Sequence, residues 1–264
     1  MKTPPIPYLS FNLLRRHANL LDCHGSPFCD FIVKKNFMQT KAFSELFPLF
    51  NTADSETLEG LLSIAVEHDY PADRAVLMED AWGNAVYFIV SGWVKVRRLY
   101  GEEAFTLAIL GKGDFFGEMA ILDESPRSTD VIALSEVHLL SVSAQRFIQT
   151  LFKDPQLHHR LLQLVVRRLR QTNYRLQKRN QAPAIKLANT LVSLAESYGQ
   201  ATDKGSEIFN IPFQDLADLA DTNVQDIAKL MEKLESKGWI KIDPGRQTLC
   251  LINIKHLTSL AGRG

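Results

Sequence analysis

Within the stretch GDFFGEMAILDESPRSTDV at 113–131, Gly117 and Glu118 precede Arg127, Ser128 and Thr129 by nine to twelve residues. These residue types suit an anionic ligand that also carries hydroxyls. A guanidinium such as Arg127 pairs with a phosphate, and a carboxylate such as Glu118 accepts a hydrogen bond from a sugar hydroxyl. Glycine at 117 lets the backbone come close to the ligand, and Ser128 and Thr129 add hydroxyls and amides beside the phosphate. A cyclic nucleotide, with one ring phosphate, one ribose 2′-OH and an apolar base, asks for this set. A competing reading stays open: a Glu118–Arg127 ion pair could simply staple a turn between two strands.

A second concentration of charge lies further on. Residues 156–181 contain Arg160, Arg167, Arg168, Arg170, Arg175, Lys178 and Arg179 with no acidic residue, a net charge of plus seven. Two such helices side by side would repel unless the cations splay into solvent, pair with acids elsewhere, or face an anion.

Other chemistry finds little support. Cys23, His24 and Cys29 form an incomplete metal-ligand set, and three cysteines (with Cys250) make no disulfide framework, so no metal is expected. There is no P-loop, nucleophile elbow or metal-binding helix motif, and His68, His138, His158, His159 and His256 lack matched partners in the sequence, so an enzyme is not expected.

The elements that must hold these residues follow from periodicity. Residues 1–37 show neither helical nor alternating period and are expected to be a disordered tail or a mis-assigned start, with Met38 as the alternative initiator. Two short helices follow at 43–65, the second capped by Asp54 or Ser55. Short strands rich in β-branched and aromatic residues, punctuated by Gly83, Gly92, Gly101, Gly111 and Gly113, predict a small β barrel or roll, and "VIALSEVHLLSV" adds two more strands. A long helix spans 156–181, with Leu157, Leu161, Leu164, Val165, Leu169, Thr172 and Leu176 forming a seam for a partner helix. Pro183 marks its end. The remainder reads as helix, helix, turn, helix and a hairpin turning at "DPGR", 243–246. The expected fold class is α+β: a tail at 1–37, a nucleotide-binding β-roll at 38–153, a dimerisation helix at 154–182 and a winged helix-turn-helix at 183–264.

The segments "YFIVSGWVKV", "GDFFGEMAIL" and "SPRSTDVIAL" resemble the cyclic-nucleotide-binding domain of the CRP/FNR family. That resemblance implies ribose binding by Glu118, phosphate binding by Arg127 and a hydroxyl contact from Ser128. It implies a homodimer through the long helix. It also places Thr172 and Asn173 where the family contacts the base with a Thr-Ser pair. Arg167 and Arg170 lie within one turn of these two. Because arginine reads the guanine O6/N7 edge and gains nothing from adenine there, cyclic di-GMP is expected slightly ahead of cyclic AMP as effector. The chain also resembles a cyanobacterial branch of the family that includes a cyclic di-GMP receptor.

"IPFQDLADLADTNVQDIAKLMEKLESKGWIKI" resembles the family's winged helix-turn-helix, with helices at 211–220 and 223–237 and a turn at Asp221 where the family often has glycine. The candidate DNA contacts are Asn223 and Gln225 for base edges and Lys229 and Lys233 for phosphates. Where the family commonly offers Ser-Arg-Glu-Thr, this chain has Asn223, Val224, Gln225 and Asp226. Residues 209–236 carry six acids against two lysines, a net of minus four, which predicts weak DNA binding. Two classes therefore stay open: a ligand-gated DNA-binding regulator, or a nucleotide receptor that acts on a partner regulator protein. No run approaches the roughly 18 apolar residues of a membrane span, and the N-terminus lacks a signal-peptide pattern; a cytoplasmic protein without membrane contact is expected.

Overall fold

The computed structural model describes residues 40–101 and 103–262. The expected tail, the Cys23, His24 and Cys29 set and the alternative start at Met38 lie outside the described residues.

Helix α1 (Thr40–Leu46) and a short 3-10 turn (Pro48–Phe50) bring Phe43, Phe47 and Phe50 onto Phe88 of the first sheet, with ring centroids 5.0–6.1 Å apart across the set and 4.6 Å between Phe43 and Phe47. Helix α2 (Ser55–Leu62) begins at Asp54, whose carboxylate accepts from the Thr57 amide and hydroxyl, both at 2.7 Å. This satisfies donors that the first helical turn leaves unpaired.

Eight strands then build the roll: β1 (Val66–Tyr70), β2 (Ala75–Leu77), β3 (Ala85–Ser91), β4 (Val94–Tyr100), β5 (Glu103–Leu110), β6 (Phe115–Phe116), β7 (Asp130–Ala133) and β8 (Val137–Ser143). They form two four-stranded sheets in the orders β1-β8-β3-β6 and β2-β7-β4-β5. The sheets enclose Ile89, Val94, Phe116, Val131, Ala133, Val137 and Leu139. A short helix α3 (Glu118–Leu122) interrupts the strands between β6 and β7.

Helix α4 (Ala144–Lys153) leads into the long helix α5 (Pro155–Gln177), which starts on Asp154 as cap, its Oδ1 accepting from the Gln156 and Leu157 amides. The seam expected on this helix is divided. Leu157 and Leu161 are buried, with this end of the helix packed against the Pro48–Phe50 turn, whereas Leu162, Val165, Val166, Leu169 and Leu176 stay 39–64% exposed. Only the second group is free to meet another helix. Pro183 opens the next helix, α6 (Pro183–Tyr198), at a position where its missing N–H costs nothing.

The C-terminal part contains α7 (Phe213–Leu219), α8 (Val224–Ser236), the hairpin β11 (Ile240–Asp243) and β12 (Thr248–Leu251), and α9 (Ile254–Leu260). Asp221, at the turn between α7 and α8, has φ +47°, the left-handed conformation that aspartate tolerates. Two strands that the periodicity did not indicate, β9 (Gln200–Thr202) and β10 (Gly205–Phe209), complete a sheet ordered β11-β12-β10-β9. They are too short to show an alternating pattern; β10 gains its place by pairing with β12, and β9 by pairing with β10. Leu187, Leu191, Leu216, Ile227, Met231, Leu249, Leu251 and Leu257 form the core here, joined by Ile109 from β5 of the roll. Among the described residues no helix is long and apolar enough to cross a membrane.

Candidate functional site

The cassette is built on a glycine corner. Gly117 takes φ +85° and caps α3, and a Cβ at this position would come 2.7 Å from Arg127 Nη1. Only glycine lets the guanidinium lie against the backbone there. Gly83 serves the same guanidinium from the other side, since a Cβ at 83 would meet Arg127 Cζ at 2.9 Å.

Arg127 is 4% exposed. Its Nη2 donates to the Ala85 carbonyl at 2.7 Å, Nη1 donates to the Gly117 carbonyl, and Nε has no partner. No carboxylate among the described residues lies within ion-pair distance of it. Burial presses its pKa below the usual arginine value, as expected for a cation deprived of water. A buried guanidinium served only by neutral carbonyls, with one donor unmet, is costly unless an anion joins it.

Glu118, 3% exposed, does not pair with Arg127, so the stapled-turn reading finds no support in the geometry. Its partner is Arg168 from α5, which donates from Nη1 to Glu118 Oε1 at 2.6 Å and from Nη2 to the Phe115 carbonyl at 2.7 Å. The same guanidinium covers the Phe115 ring at 4.5 Å and stands 3.8 Å from Asp114. Burial raises the Glu118 pKa, against the pull of Arg168. Tyr87 stacks on Phe116 beside the cassette, with centroids 5.4 Å apart. Ser128 is exposed and Thr129 half-buried, both directly after Arg127 at the surface.

The residues chosen on the long helix fall on different faces. Thr172 sits one turn after Arg168 and donates to its carbonyl at 3.1 Å, so it shares the face turned to the cassette. Arg167, Arg170 and Asn173 are exposed and turned off that face by the helical rotation of about 100° per residue. The cassette is reached from α5 by Arg168, which the spacing alone did not distinguish from six other cations. Its position one turn before Thr172 was the available signal. Arg160, Arg175 and Arg179 are held by Pro48 and Gln163, by the Leu107 carbonyl and by Asp221 respectively, and Lys178 lies over the Tyr174 ring. Among the described residues Arg167 and Arg170 have no partner.

In the helix-turn-helix the structure redistributes the charge. Asp215 and Asp218 turn toward the roll. Asp221 is paired with Arg179 and Lys186 at 3.5 and 3.8 Å. Asp226 closes a cap with Asn223, and Glu235 accepts from the Ile242 amide at 3.1 Å. Asp221, Glu232 and Glu235 remain exposed, and Glu232 has no partner among the described residues. Gln225, Lys229 and Lys233, spaced one turn apart, are exposed on one face of α8. Of the six acids Asp215 is buried and Asp218 and Asp226 half-buried, so the acidic reading surface expected from the segment total is withdrawn only in part. Asn223 needs a correction too. Its Oδ1 accepts from the Asp226 amide and its Nδ2 donates to the Asp226 carboxylate, both at 2.7 Å, so its amide is committed to the helix start rather than offered to a base.

Residues 67–154 match the cyclic nucleotide-binding domain family and residues 185–260 the Crp-like helix-turn-helix domain family. The chain is 29% identical over 201 residues to the Cyclic AMP receptor protein of Thermus thermophilus, covering 75% of this chain and 90% of that one. It is 26% identical over 201 residues to a CRP-like cAMP-activated global transcriptional regulator of Mycobacterium tuberculosis, covering 74% and 88%. In fold it is similar to FixK2 from Bradyrhizobium japonicum, with a TM-score of 0.65 at 19% identity over 75% of this chain and 97% of that one. It is likewise similar to the c-di-GMP responsive regulator CLP of Xanthomonas campestris, with a TM-score of 0.60 at 20% identity over 75% and 99%.

Proposed function

We propose, for a chain that belongs to the CRP/FNR family of regulators with a cyclic-nucleotide-binding domain and a Crp-like helix-turn-helix, that a cyclic nucleotide seated on Arg127 and Glu118 controls DNA binding by a cytoplasmic homodimer. The family consists of transcription factors and not of enzymes. The observation that carries the reading is Arg127, buried without an anionic partner and with Nε unmet. The ring phosphate replaces the carbonyls as its counter-group. Glu118 accepts from the ribose 2′-OH while Arg168 keeps its carboxylate charged and oriented, and Ser128 and Thr129 close over the phosphate.

The nucleotide we favour is cyclic di-GMP. Arg167 and Arg170 are the α5 cations left unengaged. Arg168 and Arg170 lie on opposite flanks of the exposed seam made by Leu162, Val165, Val166, Leu169 and Leu176. If two copies pair through that seam, Arg170 of the second copy approaches the Arg168 side of the first. There it can meet a second phosphate or a guanine edge. A second reading, cyclic AMP, is favoured by the names of the relatives above. DNA contact falls to Gln225, Lys229 and Lys233, which share one exposed face of α8.

Calorimetry with each nucleotide on the full chain decides the ligand. Tight cyclic AMP binding with none for cyclic di-GMP reverses the order, and binding of neither removes the reading. Footprinting on promoters bound in cells, with and without nucleotide, tests the DNA half.

A further inference from the structure

The helix-turn-helix is fastened to the roll by more than the chain that connects them. β5 is an edge strand, and an edge leaves N–H groups in search of acceptors. One of them, the Thr106 amide, donates to Asp218 Oδ2 at 2.8 Å. The Thr106 hydroxyl donates to Asp215 Oδ1 at 2.6 Å, and Lys95 from the neighbouring strand reaches the two oxygens of that carboxylate at 2.9 and 3.2 Å. Asp215 is 2% exposed and Thr106 5%. Both acids belong to α7, the helix that supports the reading helix.

A second contact runs from the same interface to the cassette. Trp93 stacks on Phe209 at 5.8 Å and meets the edge of Tyr198 at 5.0 Å. The Tyr198 hydroxyl donates to Asp114 Oδ2 at 2.5 Å. Asp114 stands in the turn leading to Gly117 and Glu118 and lies 3.8 Å from Arg168. If a phosphate replaces the carbonyls of Gly117 and Ala85 on Arg127, as proposed above, the Gly117 corner loses a bond that fixes it, and the turn that carries Asp114 is freed to shift. A shift there loads the Asp114–Tyr198 bond.

We infer that Lys95, Thr106, Asp215 and Asp218 form a latch that holds the helix-turn-helix on the roll in the arrangement seen here, and that seating a nucleotide phosphate on Arg127 favours its release through Asp114 and Tyr198. The second half rests on the nucleotide reading above. Linkage makes the coupling reciprocal: a ligand that opens the latch binds more tightly to a chain whose latch is already weakened.

The test uses the full chain with Thr106→Val and with Lys95→Met, which remove a hydroxyl and a charge while keeping shape. Lys204→Met, at an exposed cation between β9 and β10 outside the latch, serves as the control. Without added nucleotide, hydrogen exchange of the segment 103–110 is expected to accelerate on the order of tenfold in the first two variants, as for loss of one charged hydrogen bond, and to stay near wild type in the control. Unchanged exchange in both variants overturns the latch. Cyclic AMP and cyclic di-GMP are then titrated. Whichever nucleotide binds the wild type is expected to bind Thr106→Val and Lys95→Met on the order of fivefold more tightly. Faster exchange with unchanged or weaker affinity overturns the coupling. Binding of neither nucleotide by the wild type overturns the nucleotide reading and the coupling with it, and leaves the latch judged by exchange alone.

Discussion

The cassette and the reading head use charge in opposite ways. In the cassette, Arg127 and Glu118 are drawn into the protein, 4% and 3% exposed, and each has surrendered water for a small number of chosen partners. In the helix-turn-helix one acid, Asp215, is drawn into the roll, while Asp221, Asp226 and Glu235 find local partners at or near the surface and Gln225, Lys229 and Lys233 face solvent. A segment's net charge therefore says little until each charge is assigned to a solvated or an internal place. The energetic weight of a charge depends on what has replaced its water.

The contrast can be broken most sharply at Arg127. If its buried cation exists for an anionic ligand, Arg127→Met loses on the order of a hundredfold or more in nucleotide affinity, the scale of removing one partner of a desolvated charge pair. Its thermal midpoint holds or rises, because an unpaired buried charge has been removed. A fall in midpoint with affinity preserved would assign Arg127 to the scaffold instead. At the reading head, Lys229→Ala combined with Lys233→Ala is expected to lower DNA affinity about thirtyfold near 0.15 M salt and to reduce the salt slope by about two, equally on all sequences. Gel shifts at several salt concentrations check this.

Arg168 and Arg170 sharpen the comparison within one helix. Arg168→Ala is expected to weaken cyclic AMP and cyclic di-GMP alike, on the order of tenfold, because Glu118 loses its charged partner. Arg170→Ala weakens cyclic di-GMP more than cyclic AMP; equal effects would remove Arg170 from the ligand. Asn223→Ala is expected to cost about 1 kcal/mol of stability through the lost cap, with base preference in footprints unchanged.

The smallest effect is on pH dependence. Burial raises the Glu118 pKa in the folded chain, so between its unfolded and folded values the native state binds more protons and Glu118 makes stability fall as pH rises. Denaturation of wild type and Glu118→Gln across the acid range should show the wild type losing ground to the variant with rising pH.

The cassette's candidates stand out because they are close in sequence: Gly117, Glu118 and Arg127 fall within ten residues of one another, and the structure brings them to one corner. The β-roll was legible through alternation and glycine corners, and the two helices around Asp221 through their apolar spacing. Arg168 was not, because seven cations on one helix look alike until the phase of that helix against Phe115 and Glu118 is known. Asn223 misled for a related reason: an amide before a helix can read a base or cap the helix, and Asp226 three residues later decided for the cap.

By itself the sequence determined the local chemistry: where a glycine, a carboxylate and a guanidinium stand close together, where most strands and helices run, and which family the chain resembles. Those properties depend on residue type and short spacing. The tertiary structure alone decided which cation meets Glu118, which acid is buried against the roll, and that α7 is hydrogen-bonded to Thr106 across 109 and 112 residues of chain. Each of these is a pairing between distant segments, set by how the sheet edge and helix faces pack to satisfy buried charges and amides, and no local pattern encodes it.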